Sequence, residues 1–228
     1  MKYQILFHTL LFLSFSAADE TCESQDSAAT VQPCPDLTES CVQEYFQHRV
    51  QCTPAIQESG AVKFDTITMK IPSTKMIIDQ LNTTIDEVDG KIVAFTVNEE
   101  KKLAVLAVEF TNMTMTSNLL FNFYGTGKEP ITFTGALDEF FPSIVMTSFL
   151  STETYDLHTA RHFAYLPAVP TVGLTGGCLD TDDAVLSEAL ADFNENFNTV
   201  LLEGWRSVGV PLANYYIQNH ICDYGIKY

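Results

Sequence analysis

The chain has 228 residues, a formal net charge of -17, 46% hydrophobic residues and sixteen Phe. That is enough apolar material for one substantial core. An acidic chain is repelled by nucleic acid and by anionic membrane surfaces, so neither is an expected partner, and with no Pro/Ser-rich linker and no fixed-period repeat a single domain is expected.

Lys2, the apolar run from Ile5 to Phe15 and the small residues Ser16, Ala17 and Ala18 have the layout of a secretory signal peptide. Cleavage is expected before Asp19, leaving 19–228 as the domain. The run is too short to span a bilayer, so no membrane anchor is expected. Six cysteines, Cys22, Cys34, Cys41, Cys52, Cys178 and Cys222, lie beyond that segment. An even count in a secreted chain points to disulfides. Counting alone leaves every connectivity open; spacing favours Cys34 with Cys41 and Cys178 with Cys222, which leaves Cys22 and Cys52 for one another.

In chain order, 36–50 reads as a short helix. Asp36, Thr38 and Glu39 form its polar start, and Leu37, Cys41, Val42, Tyr45, Phe46 and Val50 its apolar face. From Val62 to Ile71 the alternation of Ile67, Met69 and Ile71 with Thr66, Thr68 and Lys70 predicts a strand. Further strands are expected over 91–97, 103–116, 118–124, 131–137, 143–150, 152–158 and 161–166, punctuated by Gly125, Gly127, Pro130 and Pro142. Asn82-Thr83-Thr84 and Asn112-Met113-Thr114 match the glycosylation acceptor pattern.

The last stretch, Asp183 to Ile221, carries the longest helical period. Val185, Leu186, Ala189, Leu190, Phe193, Phe197, Val200, Leu201, Trp205, Val208 and Leu212 recur every three or four positions. One amphipathic helix is expected, bent or broken between 204 and 211 by Gly204, Gly209 and Pro211. The predicted fold class is α+β, a long C-terminal helix wrapped by a highly curved antiparallel sheet.

The signal peptide, the segment Pro33-Cys34 to Cys41-Val42, the strand meander, the late Cys178, and the helix around Phe193-Asn194-Glu195-Asn196-Phe197 closing at Cys222 occur together in this order. That combination resembles the insect haemolymph juvenile hormone binding proteins and the wider takeout-like carriers, over most of 30–222. The resemblance implies an apolar pocket for a sesquiterpenoid hormone, gated by an N-terminal helical arm that corresponds to residues around 36–50. It also implies a Tyr that donates a hydrogen bond to the ligand epoxide, and counting back from Cys178 places that role on Tyr155. The chain departs from the pattern in ending six residues after Cys222 and in carrying Cys22 and Cys52.

Phe110, Phe121, Phe123, Phe133, Phe140, Phe141, Phe149 and Phe163 are an unusual aromatic load. Together with Trp205 they supply packing residues and candidate pocket walls. Tyr155 itself reads equally as a half-buried packing residue. No GxSxG, HExxH or P-loop pattern occurs, so no enzyme and no cofactor are expected. His158 and His162, four apart with Asp156 nearby, read as surface residues rather than a metal site. The expectation is a secreted, monomeric haemolymph carrier of a small hydrophobic ligand. The alternatives are a related carrier of another lipid, and an interaction module with an open apolar groove.

Overall fold

The computed structural model describes residues 29–49, 53–55, 60–86, 88–123, 131–175 and 184–224. The expected leader at 1–18, Cys22, Cys52 and Cys178 lie outside them. After a short strand β1 (Thr30–Val31) comes helix α1 (Glu39–Arg49), capped where the Cys41 backbone N–H donates to Thr38 Oγ1 at 3.3 Å. A disulfide joins Cys34 to Cys41 across this helix start, as spacing predicted. Strands β2 (Thr53–Pro54), β3 (Val62–Ile71), β4 (Met76–Asp86), β5 (Gly90–Asn98), β6 (Leu103–Phe123), β7 (Ile131–Ser151), β8 (Arg161–Tyr165) and β9 (Thr171–Thr175) follow, then helices α2 (Ala184–Glu195) and α3 (Phe197–Tyr216) and strand β10 (Cys222–Asp223). The class is α+β, with one large antiparallel sheet.

β6 and β7 are the frame of that sheet. They pair with each other along most of their 21 residues each. The free edge of β6 takes β5 over Leu103–Phe110 and then β4 over Thr114–Phe123. The free edge of β7 takes β9 over Ala136–Phe140 and then β8 over Val145–Phe149. Both changes of partner fall at one place, where the ladder skips Asn112 and Pro142. Asn112 has φ 55, a left-handed conformation that Asn tolerates better than most residues, and Pro142 has no N–H to offer.

At this kink the side-chain alternation changes phase in both strands together. On β6 the buried set runs Ala104, Leu106, Val108, Phe110 and then Met113, Met115, Ser117, Leu119. On β7 it runs Leu137, Glu139, Phe141 and then Ile144, Met146, Ser148, Leu150. β4 changes phase at Asn82, φ 51, where its register to β6 also shifts between Leu81 and Thr84. The sequence shows these kinks as broken alternation. β7 is expected as two strands divided next to Pro142, whereas the expected division of β6 falls at 117, past the kink at Asn112, and β4, whose buried positions step from Gln80 to Thr83, is not expected at all.

Two expectations are corrected in the C-terminal half. The predicted single helix over 183–221 forms as two, α2 and α3, interrupted at Asn196, φ -104 and ψ 20. The Asn196 side chain donates to the Asp192 carbonyl at 3.1 Å, beside its own backbone N–H at 3.0 Å. The expected break at 204–211 is absent, and α3 runs through Pro211. Gly204 and Gly209 serve a different purpose, letting the helix approach the sheet. A Cβ at Gly204 would lie 3.1 Å from Met69 Sδ, and one at Gly209 would lie 3.0 Å from Met146 Cε. α3 packs on β3 and on β8, then passes into a wide π turn at Ile217–Ile221. The predicted strand over 152–158 is likewise a pair of turns. There Asp156 Oδ1 accepts the His158 N–H at 2.9 Å, and Thr159 N–H reaches the Asp156 carbonyl.

Cys222 is in a disulfide. Its expected partner Cys178 lies outside the described residues, as does the pairing of Cys22 with Cys52. No helix among the described residues is long and apolar enough to cross a membrane.

Candidate functional site

Val42, Tyr45 and Phe46 form the buried face of α1 at helical spacing. They meet Phe95 of β5 and Tyr155 of the turn after β7. Ring centroids lie 5.0 Å apart for Tyr45 and Phe95, and 5.1 Å apart for Phe46 and Tyr155, both edge to face. Inside this aromatic cluster the hydroxyls of Tyr45 and Tyr155 are 3.0 Å apart. Tyr155 is 3% exposed and holds φ 50, with its N–H donating to the Ser151 carbonyl at 2.7 Å. A turn, not a strand, aims this side chain inward. Burial, and then the bond to Tyr45, raise its pKa well above the ordinary phenol value, so the hydroxyl stays neutral and keeps its proton.

Two hydroxyls carry two donor protons, and their mutual bond uses one. The other has no acceptor among the described residues. Arg49, one turn beyond Tyr45, stacks its guanidinium 3.9 Å from the Tyr45 ring centroid and covers the cluster from outside.

The far end of α3 supports the same region. Phe110 is fully buried and meets the Tyr216 ring edge-on at 5.6 Å. Tyr216 donates to the Gly90 carbonyl at 3.4 Å and stacks on His220 at 4.6 Å. His220 Nδ1 in turn lies 3.5 Å from Glu39 Oε2 at the start of α1. A Cβ at Gly90 would fall 2.5 Å from Val108 Cγ1 and 2.6 Å from Tyr216 Cε2, so only Gly lets β5 pass there.

The remaining aromatic candidates are distributed differently. Phe149 and Phe163 pair edge-on at 5.5 Å on the outer side of β7 and β8, where Phe163 is 62% exposed. They stand away from the Tyr155 cluster. Phe121 and Phe123 lie on β6, Phe133 on β7 and Trp205 on α3, with their side chains outside what is described. Phe141 is in the core and Phe140 on the outer face.

His158 and His162 do not come together as a ligand pair. His158 is exposed in the turn, while His162 sits on β8 with Nδ1 2.8 Å from Ser148 Oγ, its cross-strand partner. Ser148 is 3% exposed beneath α3, and the contact satisfies two polar groups in a place with little water. Burial lowers the His162 pKa, an effect partly offset by Asn214 of α3. Among the described residues no group of three or more His, Cys, Asp or Glu could hold a metal ion.

No model of a known protein family matches the sequence, and no curated protein matches it. One solved structure that it resembles is the crystal structure of Epiphyas postvittana Takeout 1. Identity is 15%, the TM-score is 0.48, and the match covers 79% of this chain and 88% of Takeout 1.

Tyr45 and Arg49 were not singled out as site residues from the sequence. Their one local sign was a spacing of four on an amphipathic helix, which places them on one face. The contact with Tyr155 spans 110 residues, and no local pattern encodes it.

Proposed function

We propose that the chain is a secreted, single-domain, monomeric carrier that binds a small apolar ligand in its interior. The observation that carries this reading is the buried Tyr45–Tyr155 hydroxyl pair, which keeps one donor proton without an acceptor among the described residues, inside an aromatic cluster. Ligand sites of this kind are mostly apolar, with a few fixed polar groups that orient the guest. An ether or epoxide oxygen would accept that proton, which suits a juvenile hormone, the ligand the sequence resemblance implies. An isoprenoid that buries 300–400 Å² of apolar surface gains roughly 8–10 kcal/mol before association costs. The single hydrogen bond contributes about 1 kcal/mol and serves selectivity more than affinity.

In this reading α1 closes the site. It is held at its start by the Cys34–Cys41 bridge and by Glu39 against His220, while Tyr45 opposite reaches the ligand position. Phe110 and Tyr155, both buried, are the proposed wall residues. Asn82 and Asn112 are both exposed and remain the proposed glycan sites, and 1–18 the proposed leader. The mechanism is sequestration from water and hydrolases, without chemistry on the ligand, in haemolymph.

A specific feature favours one other reading. Phe163, Tyr165 and Val169 are 62%, 66% and 73% exposed along and just beyond β8, the kind of apolar surface an interaction module offers. Titration of the purified protein with labelled juvenile hormone, fatty acids and terpenes separates the two. Saturable uptake of the hormone, weakened about fivefold in Tyr155→Phe, supports carriage and the named contact. A protein that takes up none of these ligands sinks the carrier reading.

A further inference from the structure

Beyond the kink, the inner face of the second half of the sheet carries a polar group that the carrier reading does not use. Gln80 on β4 is fully buried, Ser117 on β6 is 3% exposed and Glu139 on β7 is 6% exposed. The register places them together. Gln80 is opposite Leu119, Glu139 is opposite Met115, and Ser117 lies on the same face between those two positions of β6. Gln80 Nε2 donates to Glu139 Oε2 at 2.9 Å. Strands β4 and β7 flank β6 and are roughly 9.5 Å apart, so the two long side chains reach toward each other across the row that holds Ser117. Their neighbours on this face, Ile78, Met115, Leu119, Leu137 and Phe141, are apolar and buried.

Two atoms of the group have no partner among the described residues, Gln80 Oε1 and Ser117 Oγ. One is an acceptor and the other both donor and acceptor. Buried polar atoms are rarely left so unless something else completes them. The complement of an acceptor beside a hydroxyl is a group that both donates and accepts, and an alcohol does this with one oxygen. A carboxylate offers no donor and would meet Glu139. Burial pushes the Glu139 pKa up to about 7, which already marks the place as hostile to negative charge.

We infer that Gln80, Ser117 and Glu139 form a polar subsite that takes the hydroxyl end of a neutral, long-chain amphiphile and discriminates against the corresponding carboxylate. Seven residues of β6 separate Ser117 from Phe110, about 23 Å along an extended strand, so this end of the interior is distinct from the Tyr45–Tyr155 end. The inference rests on the carrier reading and names the head group that reading leaves open.

Three ligands with one chain and different heads test it: farnesol, farnesyl methyl ether and farnesoate, each titrated at pH 8 against bound N-phenyl-1-naphthylamine on the full secreted chain. Farnesol should bind at least about fivefold more tightly than the ether, and farnesoate more weakly than both. Ser117→Ala should cut farnesol affinity about fivefold and leave the ether unchanged, whereas Tyr155→Phe should leave the ratio of farnesol to ether alone. Glu139→Gln should raise farnesoate affinity about tenfold. Thermal melts confirm that each variant folds, and the small Ser117→Ala change keeps the test valid should Glu139→Gln not fold. Equal binding of all three heads, unchanged by Ser117→Ala, overturns the subsite and leaves the carrier standing. Failure of all three to displace the probe overturns the carrier reading and the subsite with it.

Discussion

Glu139 shows how much a single buried side chain can impose on the protein. Its carboxyl is held in an apolar interior with one hydrogen bond from Gln80, and burial is the larger effect on its pKa, which rises to about 7. The folded state therefore keeps a proton that the unfolded chain releases near the ordinary carboxyl value of 4.5. Below that value the group has no pH-dependent cost, and from there to about 7 stability falls as pH rises. Raising a pKa this far lowers stability above pH 7 by on the order of 3 kcal/mol, since each pH unit crossed between the two values contributes about 1.4 kcal/mol. Urea denaturation at pH 5 and pH 8 should show this decline, and Glu139→Gln should flatten it. An unchanged profile in the variant would assign the decline to other groups. His162 acts in the opposite sense, since burial lowers its pKa and so favours the neutral ring beside Ser148.

Among the strands, the kinks matter more than the straight runs. Asn112 and Pro142 face one another and turn both long strands together, so the register before and after them is unbroken while the buried parity changes. Asn is suited to this place by its backbone conformation, whatever its role as a glycan acceptor. Asn112→Gly should fold with little loss, whereas Asn112→Val should cost about 1–3 kcal/mol, read from chemical denaturation. Should Val prove as stable as Gly, the left-handed geometry is not what selects the residue.

The glycines make a second comparison. Gly90→Ala forces a Cβ into Val108 and the Tyr216 ring at 2.5 and 2.6 Å and should destabilise by about 3 kcal/mol. Gly204→Ala meets only the flexible end of Met69 at 3.1 Å and gains helix propensity of about 1 kcal/mol, so it should be close to neutral. Melting temperatures of the two variants give the ranking directly, and a costly Gly204→Ala would mean that Met69 cannot yield.

Across the molecule, the first helix and the last turns of the chain hold each other. The Cys34–Cys41 bridge fixes the start of α1, Glu39 reaches His220 in the π turn, and β10 pairs with β2. Replacing both cysteines by Ser should lower stability by about 2.5 kcal/mol from loop entropy and loosen α1 first. Hydrogen exchange of the Val42 and Tyr45 amides then rises before that of β6. Uniform exchange across the chain would show that the bridge acts globally. Under the proposed carrier function, bound ligand also stabilises the fold, by about 2.7 kcal/mol at a ligand concentration one hundred times Kd, so the melting temperature should climb with added ligand.

Residue pattern was sufficient to establish that strands dominate the middle of the chain, that a short helix lies within 36–50, that Cys34 pairs with Cys41, and that the stretch from about 183 is helical. These are local properties, set by side-chain period, capping and short loop closure, and a chain carries them wherever it folds. Packing in three dimensions was needed to show that Asn112 and Pro142 share one kink, that Pro211 and two glycines sit inside α3 rather than ending it, and that Asn196 interrupts the helix instead. The same packing brought Tyr45 to Tyr155 and set Gln80, Ser117 and Glu139 on one inner face. For Tyr45 with Tyr155, and for Gln80 with Glu139, the partners are far apart in sequence and their burial against one another outweighs local preference, whereas the interruption at Asn196 is local, set by its own backbone angles.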